Sequence, residues 1–228
     1  MSGQTVASLI EKLQPGGPGP SHGWCAQCAV LLDVDGTAVS LYCDGSQLLW
    51  HSDPDGARLD DLQFTLGEGP GLDAARDGAL CLVADLSRAY GSRWPMFAAQ
   101  AREMGIRAVF AFPLRLGALR VGALTCHRRT PHRLAPESAA DALTLADALT
   151  LFLLGGRHPR TRVLRPSDLH RSEVHQATGM LSVHLRVPLA SALARLRAHA
   201  FATDRPITDV ARDVVAGRLR LPRDATSA

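Results

Sequence analysis

Cys25 and Cys28 form a CxxC pair, a spacing that zinc sites and thiol redox centres use. A zinc site needs a second pair of ligands, and a redox pair draws its low pKa from a helix N-terminus. The sequence around residues 24–35 offers neither. Read as a strand, it sends the two thiols to opposite faces, so they are expected to be buried structural cysteines. Cys43, Cys81 and Cys126 are expected to line a sheet or its cleft. Cys126 and His127 are neighbours, so on a strand they point apart and cannot work as nucleophile and base. The nine histidines show no HExxH or comparable metal spacing. The run Gly67-Glu68-Gly69-Pro70-Gly71 is not a GxGxxG fingerprint, and Pro70 interrupts it. Lys12 is the only lysine among 25 basic residues. That excludes a GK phosphate loop, a Schiff-base enzyme, a kinase and a phospho-receiver with its usual lysine. The residues therefore point away from an enzyme, and no metal or cofactor is expected.

The chain has 228 residues, 46% hydrophobic and 21% charged, an ordinary globular balance that fits one large or two smaller domains. No apolar run approaches the roughly 18 residues of a membrane span, and the first residues lack a basic start and apolar core. A cytoplasmic protein without a membrane partner is the expectation. An odd number of scattered cysteines, five, argues against a disulfide framework. Charge divides the chain. Residues 1–161 carry 14 basic and 16 acidic side chains, a net of −2, whereas residues 162–228 carry 11 and 6, a net of +5. Two modules follow, the second suited to an anionic partner.

The elements that would position these groups can be read from periodicity. Residues 3–13 show Val6, Leu9, Ile10 and Leu13 on one helical face, and PGGPGP at 15–20 breaks regular structure. Residues 24–45 read as two strands around a turn at Asp35-Gly36, with a further strand at 48–53. Short helices are expected at 56–64 and 70–77, a strand at 80–86 and a helix at 94–105 ended by Gly105. Two strands follow around Gly117-Ala118. Residues 136–154 read as a long helix opened by Pro136 and apolar on more than one side. A helix of that kind needs cover on several faces. A second subunit, joined through the Val6–Leu13 and Pro136–Leu154 helices as a homodimer, is the expected cover. Residues 155–161 read as a joint. Beyond it lie three amphipathic stripes: Val174, Ala177 and Leu181; Leu189, Ala192, Leu193, Leu196 and Ala200; and Ile207, Val210, Ala211, Val214 and Val215.

The segment LGEGPGLDAARDGALCLVADL at 66–86, with the order of strands and helices around it, resembles the GAF sensor domain over residues 22–154. That resemblance implies an α+β fold that takes a small-molecule ligand in a cleft over its sheet and dimerises through its terminal helices. The aromatic residues Trp50, Trp94, Phe97, Phe110 and Phe112 are the expected cleft lining. The last third, 162–222, resembles the ANTAR domain, a three-helix RNA-binding antitermination module. The match rests on Arg171, Val174, Gln176, Ala177, Gly179 and Leu181, on Ala192, Leu196, Arg197, Ala198 and Ala200, and on Val210, Ala211 and Val214. Gly179 is expected to allow close helix approach, since glycine inside a helix costs about 1 kcal/mol against alanine. Where the family commonly has a lysine, this chain has Thr178, and where it caps the second helix with Ser or Thr, this chain has Pro188.

The implied architecture is thus α+β: residues 1–21 a helix and linker, 22–154 the sensor, 155–161 the joint, 162–222 an all-α RNA-binding domain and 223–228 a tail. The implied function is a cytoplasmic antitermination regulator that binds RNA hairpin loops. RNA loops are read by stacking and by arginine forks on phosphate. Phe201 is the only aromatic residue of the last third besides histidine. Arg171, His175, Thr178, Arg197, Arg205 and Arg212 are therefore the expected RNA contacts. The alternative is a DNA-binding helix-turn-helix regulator with the same sensor.

Overall fold

The computed structural model describes residues 5–42, 47–88, 93–155, 166–203 and 205–222, with side chains of the last helical unit from residue 172 onward. The chain separates into two compact units, Met1–Pro159 and Arg160–Ala228.

The first unit is built on a five-stranded sheet of order β2-β1-β5-β4-β3. Its strands are β1 (Gly36–Leu41), β2 (Gln47–His51), β3 (Cys81–Val83), β4 (Ala108–Leu116) and β5 (Leu119–Arg128). All its pairings are antiparallel. Both faces are covered, and the side-chain alternation of β4 shows how. Phe110, Phe112 and Leu114 enter a core with α1 (Val6–Glu11), α2 (His22–Leu31) and α6 (Pro136–Leu154). Val109 and Ala111 enter the opposite core with α3 (Pro54–Leu66), α4 (Pro70–Asp77) and α5 (Pro95–Glu103).

The segment after Pro20 departs from expectation. Residues 24–31 form helix α2 and not the first strand of a hairpin. Ser21 caps it, accepting a hydrogen bond from the Trp24 backbone at 3.1 Å. Trp24, Cys25, Cys28, Ala29 and Leu32 are buried at helical spacing. A short apolar run fits strand and helix equally until a tertiary surface selects one. Asp33, with φ 53, closes this helix, and its carbonyl and carboxylate both accept from Arg128. The Asp35-Gly36 step is thus a helix-to-strand exit.

Most other elements fall where periodicity places them. Proline opens α3, α4, α5 and α6, where its missing N–H costs nothing. The Gly117-Ala118 turn joins β4 to β5. The long helix α6 is covered in large part within its own chain. Ala142, Leu145, Ala146 and Leu149 are fully buried against the sheet and α1, whereas Leu151 and Leu154 stay exposed.

The second unit has three helices among its described residues: α7 (Pro166–Leu185), α8 (Leu189–Ala202) and α9 (Ile207–Val215). Val174, Ala177, Leu181, Ala192, Leu196, Ala200, Ile207, Val210, Ala211 and Val214 form its buried interior. Leu189 departs from its stripe and is exposed. Gly179 also departs from expectation. A Cβ built there would meet nothing within 4 Å, so no helix packs closely against it. Pro188 stands at the N-cap of α8 and supplies no side-chain bond.

Candidate functional site: a polar layer, an arginine-lined cleft and a helical surface

Between the sheet and α3–α4, a buried polar patch lies beside the apolar core of Leu59, Ala74, Val109 and Ala111. Ser40 donates to Asp60 Oδ1 at 2.5 Å, and both are buried. Tyr42 donates to the same oxygen at 3.4 Å. Gln63 Oε1 accepts from the Gly71 backbone at 2.6 Å. Gln63 Nε2 and Thr125 Oγ1 are buried without a hydrogen-bond partner among the described residues. Both lie around Gly71, at 3.1 and 2.7 Å from where a Cβ would stand. An unpaired buried polar group costs about 1–3 kcal/mol.

The glycine-rich run frames this layer. Gly67, with φ 72, ends α3, and Gly69, with φ 141, begins the turn into α4. Glu68 reaches the first turn of α5, accepting from the backbones of Met96 and Phe97 at 2.8 and 2.7 Å. Asp73 accepts from the Trp94 indole at 2.8 Å and from Arg93 at 2.9 Å. In the VADL segment, Asp85 accepts from the Ser87 backbone and hydroxyl. Those bonds hold its carboxyl below the usual range. The acidic residues of this motif are therefore fasteners.

Beside the polar layer lies a cleft of about 330 Å³ lined by Tyr42, Leu72, Ala75, Arg76, Arg120 and Gly122. Gly122 lets β5 lie close against β1 at this cleft, because a Cβ there would stand 2.0 Å from the Ser40 carbonyl oxygen. The aromatic residues expected to line a cleft do not meet. Trp50, Phe110 and Phe112 are buried in the core with α1, α2 and α6. Trp94 and Phe97 are buried in the core on the other face. Alternation along β4 and the long path between the segments separate them. Arg76, Arg120 and Tyr42 were not singled out from sequence, since they come from α4, β5 and the residue after β1, with no local spacing in common.

The family profile of the GAF domain matches residues 25–153. The chain belongs to the GAF domain family. The GAF domain of an Acinetobacter phosphoenolpyruvate-protein phosphotransferase is similar in fold: it is 14% identical, covers 66% of this chain and 90% of its own, and gives a TM-score of 0.51. The corresponding domain from Coxiella burnetii is 18% identical over 67% of this chain and 92% of its own, with a TM-score of 0.49. No curated protein matches the chain. Membership in the family supports a sensory, signalling role for the first unit. Among the described residues no helix is long and apolar enough to cross a membrane.

Within the GAF unit, α2 puts Cys25 and Cys28 on one helical face, not on opposite faces of a strand. Both are fully buried, as is Cys126 on β5. Burial pushes the Cys25 thiol up to about 12, and it raises Cys28 and Cys126 as well. Cys81 is raised to about 11, again by burial first. Thiols this hard to ionise are packing groups.

Asp53, Asp55 and His127 bring three potential ligand atoms within 4.8 Å of one another. These groups already have work. Asp53 caps α3, accepting from the Gly56 backbone at 2.7 Å and from Ser52 Oγ at 2.7 Å. Asp55 pairs with Arg129. The positive end of α3 opposes a cation at the same place. The cluster instead seats buried His127, whose Nε2 lies 3.8 Å from Asp53 Oδ1. Burial lowers the His127 pKa, with Asp53, Asp55 and Asp35 pulling it back up.

In the helical unit, Arg205 and Arg212 are exposed but held. Arg205 pairs with Asp213 at 2.6 Å. Arg212 pairs with Asp209 at 2.8 Å and Glu173 at 3.3 Å. Thr178, expected as an RNA contact, is buried, and its hydroxyl donates to the Val174 carbonyl at 2.7 Å. A threonine in mid-helix satisfies its hydroxyl in this way, on its own backbone. His175 and Arg197 are half-buried. The side chain of Arg171 lies outside the described residues. Phe201 is 68% exposed, an aromatic face that spacing alone did not mark as a surface group.

Proposed function

We propose that the protein is a regulator of transcription antitermination. In this reading the GAF unit senses a signal or dimerises, and the three-helix unit binds hairpin loops in nascent RNA as an ANTAR-like module. The observation that carries it is the helical unit itself: three helices closed around small and β-branched side chains, with a surface surplus of arginine and one bare aromatic ring. Arg205 and Arg212 serve as phosphate ligands by exchanging their carboxylates, since exposed ion pairs are worth only about 0–1 kcal/mol. Phe201 offers an exposed stacking face on the same unit. Thr178 acts only as a packing residue. A homodimer presents two such units, and tethered loops bind more tightly without new contacts. Its contact is the groove of about 430 Å³ between α1 and α6, where Ile10, Leu13, Leu151 and Phe152 line an apolar wall.

The test is binding of the full chain to a two-hairpin RNA across a salt series, with duplex DNA of matched length as competitor. Affinity is expected to fall steeply with salt as counterions compete, and Arg212→Gln is expected to flatten that slope. A salt-independent signal, or preference for the duplex, would overturn the reading.

A further inference from the structure

The β4–β5 hairpin ends in an arrangement that works against its own stability. Arg115 and Arg120 are direct cross-strand partners. Like charges set opposite each other on antiparallel strands repel. The register shifts between Leu114 and Arg115, at the base of this pair. Neither guanidinium has an acidic partner among the described residues. The end of α4 adds a third. Arg76 sits in its last turn. Gly78, the C-cap, abuts the hairpin so closely that a Cβ there would lie 3.3 Å from Arg120 Nε and 3.4 Å from Arg115 Cδ. The nearest carboxylate to Arg76 is Asp73, at 3.7 Å. Asp73 is already engaged by Arg93 and the Trp94 indole at shorter range. A helix C-terminus carries only about half a negative charge. It offsets a fraction of three guanidiniums.

Two of these arginines, Arg76 and Arg120, line the cleft of about 330 Å³ together with Leu72 and Ala75. A pocket of about 300 Å³ is the lower bound for organic ligands. We propose that this cleft binds a small organic anion through its phosphate or carboxylate group. Arg76 and Arg120 clamp the charge, Arg115 reinforces the field, and the apolar body of the ligand rests on Leu72 and Ala75. A planar guanidinium pair suits a bidentate anion better than ammonium groups would. Tyr42, on the cleft wall and bonded to Asp60, joins the site to the buried polar layer. The proposal rests on the reading of the first unit as a sensor and names the chemistry it senses.

The experiment uses the full-length protein. Its thermal unfolding is followed in pyrophosphate and in citrate, each against sodium chloride of equal ionic strength. Arg120→Gln and Arg76→Gln are compared with the parent. One of the two anions is expected to raise the unfolding temperature above the chloride control, and the responsive anion assigns phosphate or carboxylate. Affinity is expected to fall about tenfold or more in each variant. Arg115→Gln is expected to raise stability without ligand, by relieving the cross-strand repulsion. An equal response in parent and Arg120→Gln would place the anion elsewhere, such as on the helical unit, and overturn the proposal. So would no response to either anion. Stabilisation by uncharged metabolite-sized compounds alone would overturn the anion chemistry and leave the sensor reading standing. Anion binding at the cleft with RNA affinity unchanged would do the reverse.

Discussion

His127 shows how one buried residue can make the whole fold sensitive to acid. It sits on β5 beside the start of α3, almost fully buried, with Asp53, Asp55 and Asp35 as its acidic neighbours and Arg129 as the basic one. Burial dominates and lowers its pKa below 6.5. The unfolded chain therefore takes up a proton at a pH where the folded chain does not. The stabilisation is complete above about pH 6.5 and is lost as pH falls below it. Urea unfolding between pH 7.5 and 5 is expected to show a falling midpoint. His127→Gln is expected to lower stability at neutral pH and to flatten the dependence below pH 6.5. A parallel curve for parent and variant would show that the other histidines carry the effect. At the same residue scale, the CxxC thiols are buried on one face of α2, and burial makes them hard to ionise.

At the scale of elements, α7 separates structural need from functional use. Gly179 has room for a methyl group and no positive φ, so its cost to the helix brings no packing in return. Gly179→Ala is expected to stabilise the second unit by up to about 1 kcal/mol, measured by denaturant unfolding. If the bare backbone there approaches RNA, the same variant binds the two-hairpin RNA more weakly. Stability raised with affinity unchanged would remove Gly179 from the RNA surface. Thr178 is the opposite case, a side chain turned inward and satisfied by its own helix. Helix α6 teaches a related lesson. Its several apolar faces require cover, and α1 and the sheet provide most of it. Only the end around Leu151 and Leu154 is left for another surface.

Taken as a whole, the molecule is two units with separate interiors. Separate cores predict separate losses. Phe97 is fully buried between α5 and the sheet. Phe97→Ala is expected to destabilise the first unit by about 3–5 kcal/mol. The transition of the helical unit should keep its midpoint. Calorimetry of the full chain, with hydrogen exchange to assign each transition, checks this. A single transition shifting as one would show that the two interiors unfold together.

Periodicity and punctuation in the sequence already placed α1, α3 to α6, the five strands and the three helices of the last third, because their apolar residues recur at a helix or strand period and proline or glycine bounds many of them. The GEGP run was enough to point to the family. The helix at 22–31 was not legible, since a short apolar run has no period of its own until the sheet and α1 offer it a face. The same holds for the site. Trp50, Trp94, Phe97, Phe110 and Phe112 look alike in sequence, but the pleat of β4 and the layers on either side send them to two different cores. Arg76, Arg115 and Arg120 look like scattered solvated cations, and only cross-strand register and the docking of α4 gather them at the end of one hairpin. Local interactions select helix or strand within a few residues, whereas a site is made by chain segments whose distance in sequence carries no signal of their nearness in space.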